Sequence, residues 1–518
     1  MSQESETAEF AQPDLSAVPT GAWVRSTTRA VRRGHSGAPV SELLGDVYTY
    51  VFTGIIAIVM AVTVAGRVGT GFHLADAGPA VLDPSWLGPI AAVALVGAIL
   101  GVIARLGPLG VGPAGATWWL PMPVDRASLI RGSAIGWILA VTALGGVGAG
   151  VLVSLVPTTT PALVVVAIGL LIGANLVLAL SLTQTTTALA RRRARRIASV
   201  GDVMLLVAPL CWVILAITRP QFPLFAALPG IAVVLILAVA ATVQGIALFR
   251  RLEHIQGITL REQGARAAYV GGAVVSLDAR EVGRALTDVG GKDSRRRLLA
   301  FSWVTNARTA IVAADLTFLL RTPRNLAQVI ALAALPAAAA ASGLAAPWLV
   351  TLLLLMSGYG AALACTAGAR AAQAAPVLDR VLPLSAKEIR RVRHIAPILV
   401  MVLWSVIAFG AVGLGRGDVV GWANLGIVAG PALACGALRA SYRPEPDWSG
   451  PLVQTPGGAI PSGVVANLLA GPVLVIFTLI PTMIAGFASV GPILVLVQIP
   501  FTLIAYAISQ RVPKPKSR

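Results

Sequence analysis

The chain has 518 residues, of which 56% are hydrophobic and only 12% charged, with a mean hydropathy of +0.82. Soluble domains carry about a quarter charged residues, so this composition excludes a protein that covers its whole surface in water. The net charge of +18 would point to nucleic acid in a soluble protein, but here it falls between apolar blocks, where the positive-inside rule and anionic lipid headgroups account for it.

In chain order, Met1 to Ala22 is polar and acidic, unlike a signal peptide, and reads as a short disordered cytosolic tail. Residues 1–47 form the tail and lead-in to an all-α polytopic membrane protein of about twelve transmembrane helices. Each apolar block is about twenty residues long, enough to cross a hydrocarbon core of about 30 Å. Continuous apolar runs without alternation favour helices over a β-barrel. The first six predicted spans are Tyr48–Gly66, Trp86–Ala104, Ser133–Leu155, Pro161–Leu182, Val203–Thr218 and Pro229–Leu248. After a predicted cytosolic connector over 249–324 come Asn325–Leu344, Pro347–Thr366, Ile395–Leu414, Val420–Leu438, Val464–Ile484 and Val490–Ile508. The last two also read as one re-entrant hairpin, and 509–518 is a basic cytosolic tail.

With the N-terminus inside, only Arg67, Arg219 and Arg416 of the 40 Lys and Arg fall outside. Both termini are therefore expected in the cytosol, with the chain in the cytoplasmic membrane, and the 36 Arg against 4 Lys suit a high-GC bacterial genome. Cys211, Cys365 and Cys435 lie in apolar blocks and read as small core hydrophobes. The four histidines, His35, His73, His254 and His394, are not clustered, so no metal is expected. Asn175, Asn424, Asn467 and Gln498 are the polar groups within spans and read as helix–helix hydrogen bonders. The scarcity of ionisable residues there argues against a proton- or Na⁺-coupled carrier.

The two sets of six spans each carry a distinctive loop between their second and third members. One runs Trp119–Arg131 and the other Val381–Arg393. Both contain Leu-Pro, at Leu120-Pro121 and Leu382-Pro383, followed by a helix-starting residue (Pro123, Ser385) and a predicted short charged helix. An Arg stands eleven residues after each Leu, at Arg131 and Arg393. Ala174-Asn175-Leu176 recurs as Ala423-Asn424-Leu425 in the fourth span of each half, a weak signal because Ala466-Asn467-Leu468 repeats it elsewhere.

These loops resemble the Leu-Pro segments of the membrane subunits of type-two ABC exporters, whose six-span halves carry a coupling helix at this place. Asp315–Leu326, with its Leu-Arg-x-Pro-Arg pattern at Arg321, Pro323 and Arg324, resembles the interfacial helix that leads into such a half. The whole plan, including the Arg443–Leu452 loop, also resembles an actinobacterial family of permease-like proteins. The resemblance implies a permease that exports an amphipathic or lipid-like substrate and docks a separate ABC ATPase through Leu120, Pro121, Asp125, Arg126, Leu129 and Arg131. In the second loop the docking set is Leu382, Pro383, Lys387, Glu388, Ile389, Arg391 and Arg393. Leu120, Leu129, Leu382 and Ile389 would form the apolar docking ridge, and the cations would pair with carboxylates of the ATPase.

No Gly-x-x-x-x-Gly-Lys-[Ser/Thr] occurs, so ATP hydrolysis is expected only in the partner and no cofactor is predicted. A plainer reading makes both loops ordinary turns. Asp76 and Asp83, in the first outer loop, leave open a membrane-embedded enzyme of lipid or polyprenol-sugar chemistry, and a permease-like scaffold is a third reading. The connector is expected to be helical near Arg250–Ala267 and Leu277–Asp288, and Arg443–Pro461 an extended spacer.

Overall fold

A computed structural model describes residues 19–36, 40–72, 82–155, 160–185, 190–220, 230–275, 301–374, 377, 379, 381–443, 451–455 and 458–511. The helices in chain order are α1 (Gly21–Ser36), α2 (Val40–Gly69), α3 (Leu87–Leu106), α4 (Pro113–Trp118), α5 (Arg126–Leu155), α6 (Ala162–Gln184), α7 (Ala190–Thr218), α8 (Gly230–Arg251) and α9 (Gly257–Val275). They continue as α10 (Ala307–Arg321), α11 (Pro323–Ser342), α12 (Pro347–Cys365), α13 (Ala367–Ala374), α14 (Ala386–Val392), α15 (Ile395–Arg416) and α16 (Val419–Ser441). A two-stranded antiparallel hairpin, β1 (Leu452–Thr455) and β2 (Gly458–Pro461), precedes α17 (Ser462–Thr478), α18 (Ile480–Ala485) and α19 (Pro492–Ser509).

Among the described residues, ten helical segments are long and apolar enough to cross a membrane. The protein is a multi-pass, all-α membrane protein. The first and eleventh predicted spans are not among the ten. They correspond to the shorter apolar stretch Gly54–Gly69 in α2 and to the broken pair α17–α18. At that break Gln498 donates to the Thr478 carbonyl at 2.8 Å and accepts from Thr482 at 3.0 Å. A backbone acceptor left over at the break thus has a donor without water, as hydrocarbon surroundings require.

Two ends of the bundle can be told apart. At one, the Phe72–Ala345 bridge and a Leu82 N–H bond to the Ser342 carbonyl (3.1 Å) bring loops of both halves together, and Arg416 ties loops of the second half through the Pro347 and Gly486 carbonyls (3.0 Å each). At the other, Asp202 at the start of the apolar part of α7 pairs with Arg105 of α3 and, at 3.8 Å, with Arg324 of α11. We call this second end the basic end.

The order of packing repeats between halves. α2 packs on α5, α5 on α6 and α6 on α8; likewise α11 packs on α15, α15 on α16 and α16 on α19. The halves differ at their remaining helices: α7 lies against α3 and against α11 of the other half, whereas α17 packs on α16 and α19. Each half has its own apolar core, and the second extends to Trp212 of α7 and to Leu82, Trp86 and Leu87 ahead of and within α3. The outward stripe of α8 (Ile231, Leu235, Ile236, Val239, Val243) is more than 60% exposed, the pattern of a lipid-facing helix.

Several expectations are corrected. The predicted fifth span Val203–Thr218 is the C-terminal part of a longer helix, since α7 begins at Ala190 and carries the arginine run on the same helix. The end of the supposed spacer Arg443–Pro461 is the β-hairpin, with 444–450 and 456–457 outside the described residues. Ala-Asn-Leu is not equivalent in the two fourth spans. Asn175 sits past the middle of α6, donates to the Leu237 carbonyl of α8 at 3.0 Å and accepts from Gln244, whereas Asn424 is in the second turn of α16 and exposed. The Asn467 side chain and Leu277–Asp288 lie outside the described residues; α9 answers to the first connector helix.

Candidate functional site at the second inter-helix loop

The sequence Ser385-Ala-Lys-Glu388 is a capping box. The Ser385 hydroxyl accepts from the Glu388 N–H at 3.3 Å, and the Glu388 carboxylate accepts from the Ser385 N–H at 3.0 Å, so two otherwise orphan donors start α14. Seven residues later the helix stops. Pro397 has no N–H for the carbonyl of Arg393 and its ring crowds that carbonyl, so the regular hydrogen bonding lapses between Val392 and Ile395, although Arg393 and His394 keep right-handed helical φ/ψ. α14 is therefore a short first turn or two, capped at its start, that leads into α15 at the basic end.

α14 is fastened to α10. Ile389 and Val392 pack with Ile311 and Val312 of α10 and Ala396 of α15, with Leu316, Leu382 and Leu384 around them. Arg393 is the polar centre: it donates to Asp315 of α10 at 3.0 Å and to Asp379 at 2.7 Å, with side chains 9%, 6% and 25% exposed respectively. Glu388 also receives Arg308 of α10 at 2.9 Å. Burial pushes the Asp315 carboxyl up to about 6, against the pull of the Arg393 guanidinium. Behind this cluster His394 is buried, bonded to the Arg390 carbonyl (2.6 Å) and the Ser509 hydroxyl (2.8 Å), while Arg390 stacks over the Tyr442 ring at 4.3 Å. His394 is thus an inter-helix strut between α14 and α19.

Asp315 and Arg393, singled out on separate grounds, meet directly. The remaining residues of the second loop divide by exposure: Pro383, Lys387 and Arg391 are exposed, whereas Leu382 is half-buried and Ile389 buried inside the chain. Of the interfacial-helix residues, Arg321 is half-buried in the last turn of α10, Thr322 breaks the helix, exposed Pro323 opens α11 and Arg324 reaches Asp202.

The first loop differs from its expectation. It has no separate short helix: α5 runs unbroken from Arg126 to Leu155, and Asp125, not Pro123, caps it by accepting from Ala127 and Ser128 N–H groups at 3.0 and 3.1 Å. No proline follows within reach to interrupt it. α1 clasps this start: Gly21 donates to the Ser128 hydroxyl at 2.7 Å and Arg25 to the Ser128 and Leu129 carbonyls. Leu129 is buried there, Leu120 packs on the first-half core, and Arg131 lies over the Phe249 ring at 5.6 Å. Pro121 and Arg126 are exposed. The four-residue apolar ridge is therefore not available for docking, since Leu129 and Ile389 are used up internally and Leu120 and Leu382 partly so.

Asp202, Arg105, Asp379 and Arg308 are the residues the sequence reading passed over. Asp202 carried a signal, a lone carboxylate closing an arginine-rich helical run; Asp379 carried none. Asp83 caps the 3₁₀ turn Pro84–Trp86, accepting from Ser85 N–H at 2.9 Å; His73 and Asp76 lie outside the described residues. Among the described residues, no three His, Cys, Asp or Glu are grouped to hold a metal ion. The apolar cluster and the two ion pairs tie α10, α14 and the start of α15 into one packed unit.

No curated protein and no solved structure matches the chain. Residues 79–451, more than two-thirds of the sequence, match a family described as a family of unknown function, DUF6297, over a stretch that contains both loops, α10 and Asp202. The chain belongs to the DUF6297 family.

Proposed function

We propose that the chain is the membrane permease subunit of an ABC-type exporter, driven by a separate ATPase that docks at the basic end. The observation that carries this reading is α14, a short helix capped at its start, set off from its span only by the lapse in hydrogen bonding at Pro397 and ion-paired to α10 through Arg393–Asp315 and Arg308–Glu388. Such a lever turns motion of a docked partner into rotation of α10 and α11, and so into alternating access between the halves for an amphipathic or lipid-like cargo. On this reading the membrane is the cytoplasmic one, and the basic end and both termini face the cytosol. The docking face moves from the buried ridge to its exposed neighbours: Val381 (81% exposed), Lys387 and Arg391 in the second loop, and Met122 and Arg126 in the first.

The enzyme alternative gains nothing from Asp83, whose carboxylate is engaged in capping. The test is purification of the tagged full-length chain from its native host in mild detergent. An ATP-binding-cassette ATPase should co-purify and be lost from Val381→Asp/Met122→Asp, while Arg391→Ala alone has a lesser effect because exposed ion pairs contribute only about 0–1 kcal/mol. If no such ATPase co-purifies with the unaltered chain, or if the double variant retains it fully, the exporter reading fails.

A further inference from the structure

In the first half, a cleft of about 200 Å³ opens at the basic end between the ends of α3 and α6, the start of α7 and the face of α9. It is lined by three arginines, Arg105, Arg195 and Arg266, against one carboxylate, Glu262. Arg105 is neutralised by Asp202. Arg195 and Arg266 are half-buried and have no hydrogen bond or ion pair among the described residues. Two further residues of the lining carry a polar atom without a partner: the side-chain oxygens of Gln184 and Gln263 are fully covered, Gln184 is only 8% exposed, and a ligand in the cleft reaches them once their amides turn toward it.

A buried amide without a partner costs about 1–3 kcal/mol, and cations held half out of water also incur a desolvation cost unless an anion joins them. The cleft is therefore built for a ligand that is both anionic and hydroxylated. Its place agrees with this. It lies where apolar helices α3 and α6 end, the depth of a headgroup layer, and exposed Trp118 stands on α4, which packs against α9.

We propose that this cleft binds the phosphodiester headgroup of an anionic glycerophospholipid that carries hydroxyls, the phosphatidylglycerol class. The phosphate accepts from the Arg195 and Arg266 guanidiniums. The headgroup hydroxyls pair with Gln184 and Gln263. A hydroxyl both donates and accepts, so it satisfies the amide in either of its two orientations. An ethanolamine headgroup offers only donors and adds a cation beside three arginines, and a choline headgroup offers no donor at all. The cleft is small beside sites for whole drug-sized ligands, roughly 300–1,000 Å³, and suits a headgroup whose acyl chains remain outside. This assignment does not depend on an ATPase partner.

The test is native mass spectrometry of the delipidated full-length protein with dioleoyl phosphatidylglycerol, phosphatidic acid, phosphatidylethanolamine or phosphatidylcholine, read as lipid retained per protein. Phosphatidylglycerol should be retained most. Arg195→Ala/Arg266→Ala should lower its retention about tenfold or more, since both charge-assisted bonds to the phosphate are lost. Arg126→Ala/Arg131→Ala, at the same end but outside the cleft, should leave it unchanged. Gln184→Met should remove the preference for phosphatidylglycerol over phosphatidic acid while leaving both anionic lipids bound. An equal loss in the two double-arginine variants, or equal retention of phosphatidylcholine, would overturn the proposal by reducing the effect to general attraction. Displacement of the lipid by millimolar inorganic phosphate or glycerol phosphate would overturn the lipid as source and leave a site for small soluble phosphates. If the double variant is poorly folded, the Gln184→Met comparison between the two anionic lipids decides alone.

Discussion

At Asp315 two effects oppose each other: burial disfavours the carboxylate, and Arg393 at 3.0 Å favours it. Burial is the larger, and the carboxyl is pushed up to about 6 from 3.8. The folded protein therefore holds the Asp315 proton more tightly than the unfolded chain. The stability this contributes is full below about 3.8 and is lost as the pH rises through about 6. A shift of that size corresponds to on the order of 2–3 kcal/mol. Asp315→Asn should flatten the pH dependence of thermal unfolding between those values, monitored by tryptophan fluorescence in detergent; a slope unchanged from the parent would contradict the assignment. Arg393→Ala should be the costlier change above that window, by about 3–5 kcal/mol, because it leaves buried Asp315 and half-buried Asp379 without their shared cation. Neither the Asp379 contact nor the inward turn of Ile389 was legible in the sequence. A charged helix reads as solvated until the element it packs against is known, and α10 lies more than sixty residues upstream of α14.

At the scale of elements, the long apolar helices were legible because the bilayer leaves the backbone so few solutions. The loops were legible only where a local device is decisive. Ser385 with Glu388, and Pro397 four residues past Arg393, dictate the start and stop of α14. In the first loop Asp125 outcompetes Pro123 as the cap, and the want of a nearby proline lets α5 run on. Helix pairing, by contrast, is set by close approach at small residues. In the fourth helix of each half, glycines four apart face the third: a Cβ on Gly173 would meet the Val141 carbonyl oxygen at 2.5 Å, and one on Gly430 the Met401 carbonyl oxygen at 2.7 Å. Gly430→Ala must therefore push α16 off α15, with the roughly 1–3 kcal/mol cost of overpacking. Gly136→Ala in α5 meets nothing within 4 Å and should be neutral or stabilising by up to about 1 kcal/mol from helix propensity. Thermal midpoints of the two variants test this, and equal midpoints would mean that the α15–α16 contact is not tight.

Across the whole molecule, the spacing of arginines predicts two sets of six spans with alternating ends, and ten helices long and apolar enough to cross a membrane are found among the described residues. Where the halves touch is not legible there, since α7 and α11 carry no mark in sequence that pairs them. The structure joins them at both ends of the bundle. At one end the join is backbone, through Phe72 and Ala345 and the Gly71 carbonyl; at the other it is Asp202, held between Arg105 and Arg324. These joins should respond differently to substitution. Removing Asp202 leaves two arginines facing each other at the meeting of α3, α7 and α11, one of them only 9% exposed. Asp202→Ala should cost about 3–5 kcal/mol, the range for breaking a buried pair from one side. Arg324→Ala should cost far less, because its contact is longer, its side chain is 30% exposed, and Asp202 keeps Arg105. If the ion triad holds the halves together at the basic end, the thermal midpoint of Asp202→Ala should fall well below that of Arg324→Ala. Equal thermal midpoints for the two would show that the halves are held at that end by their apolar α7–α11 contact.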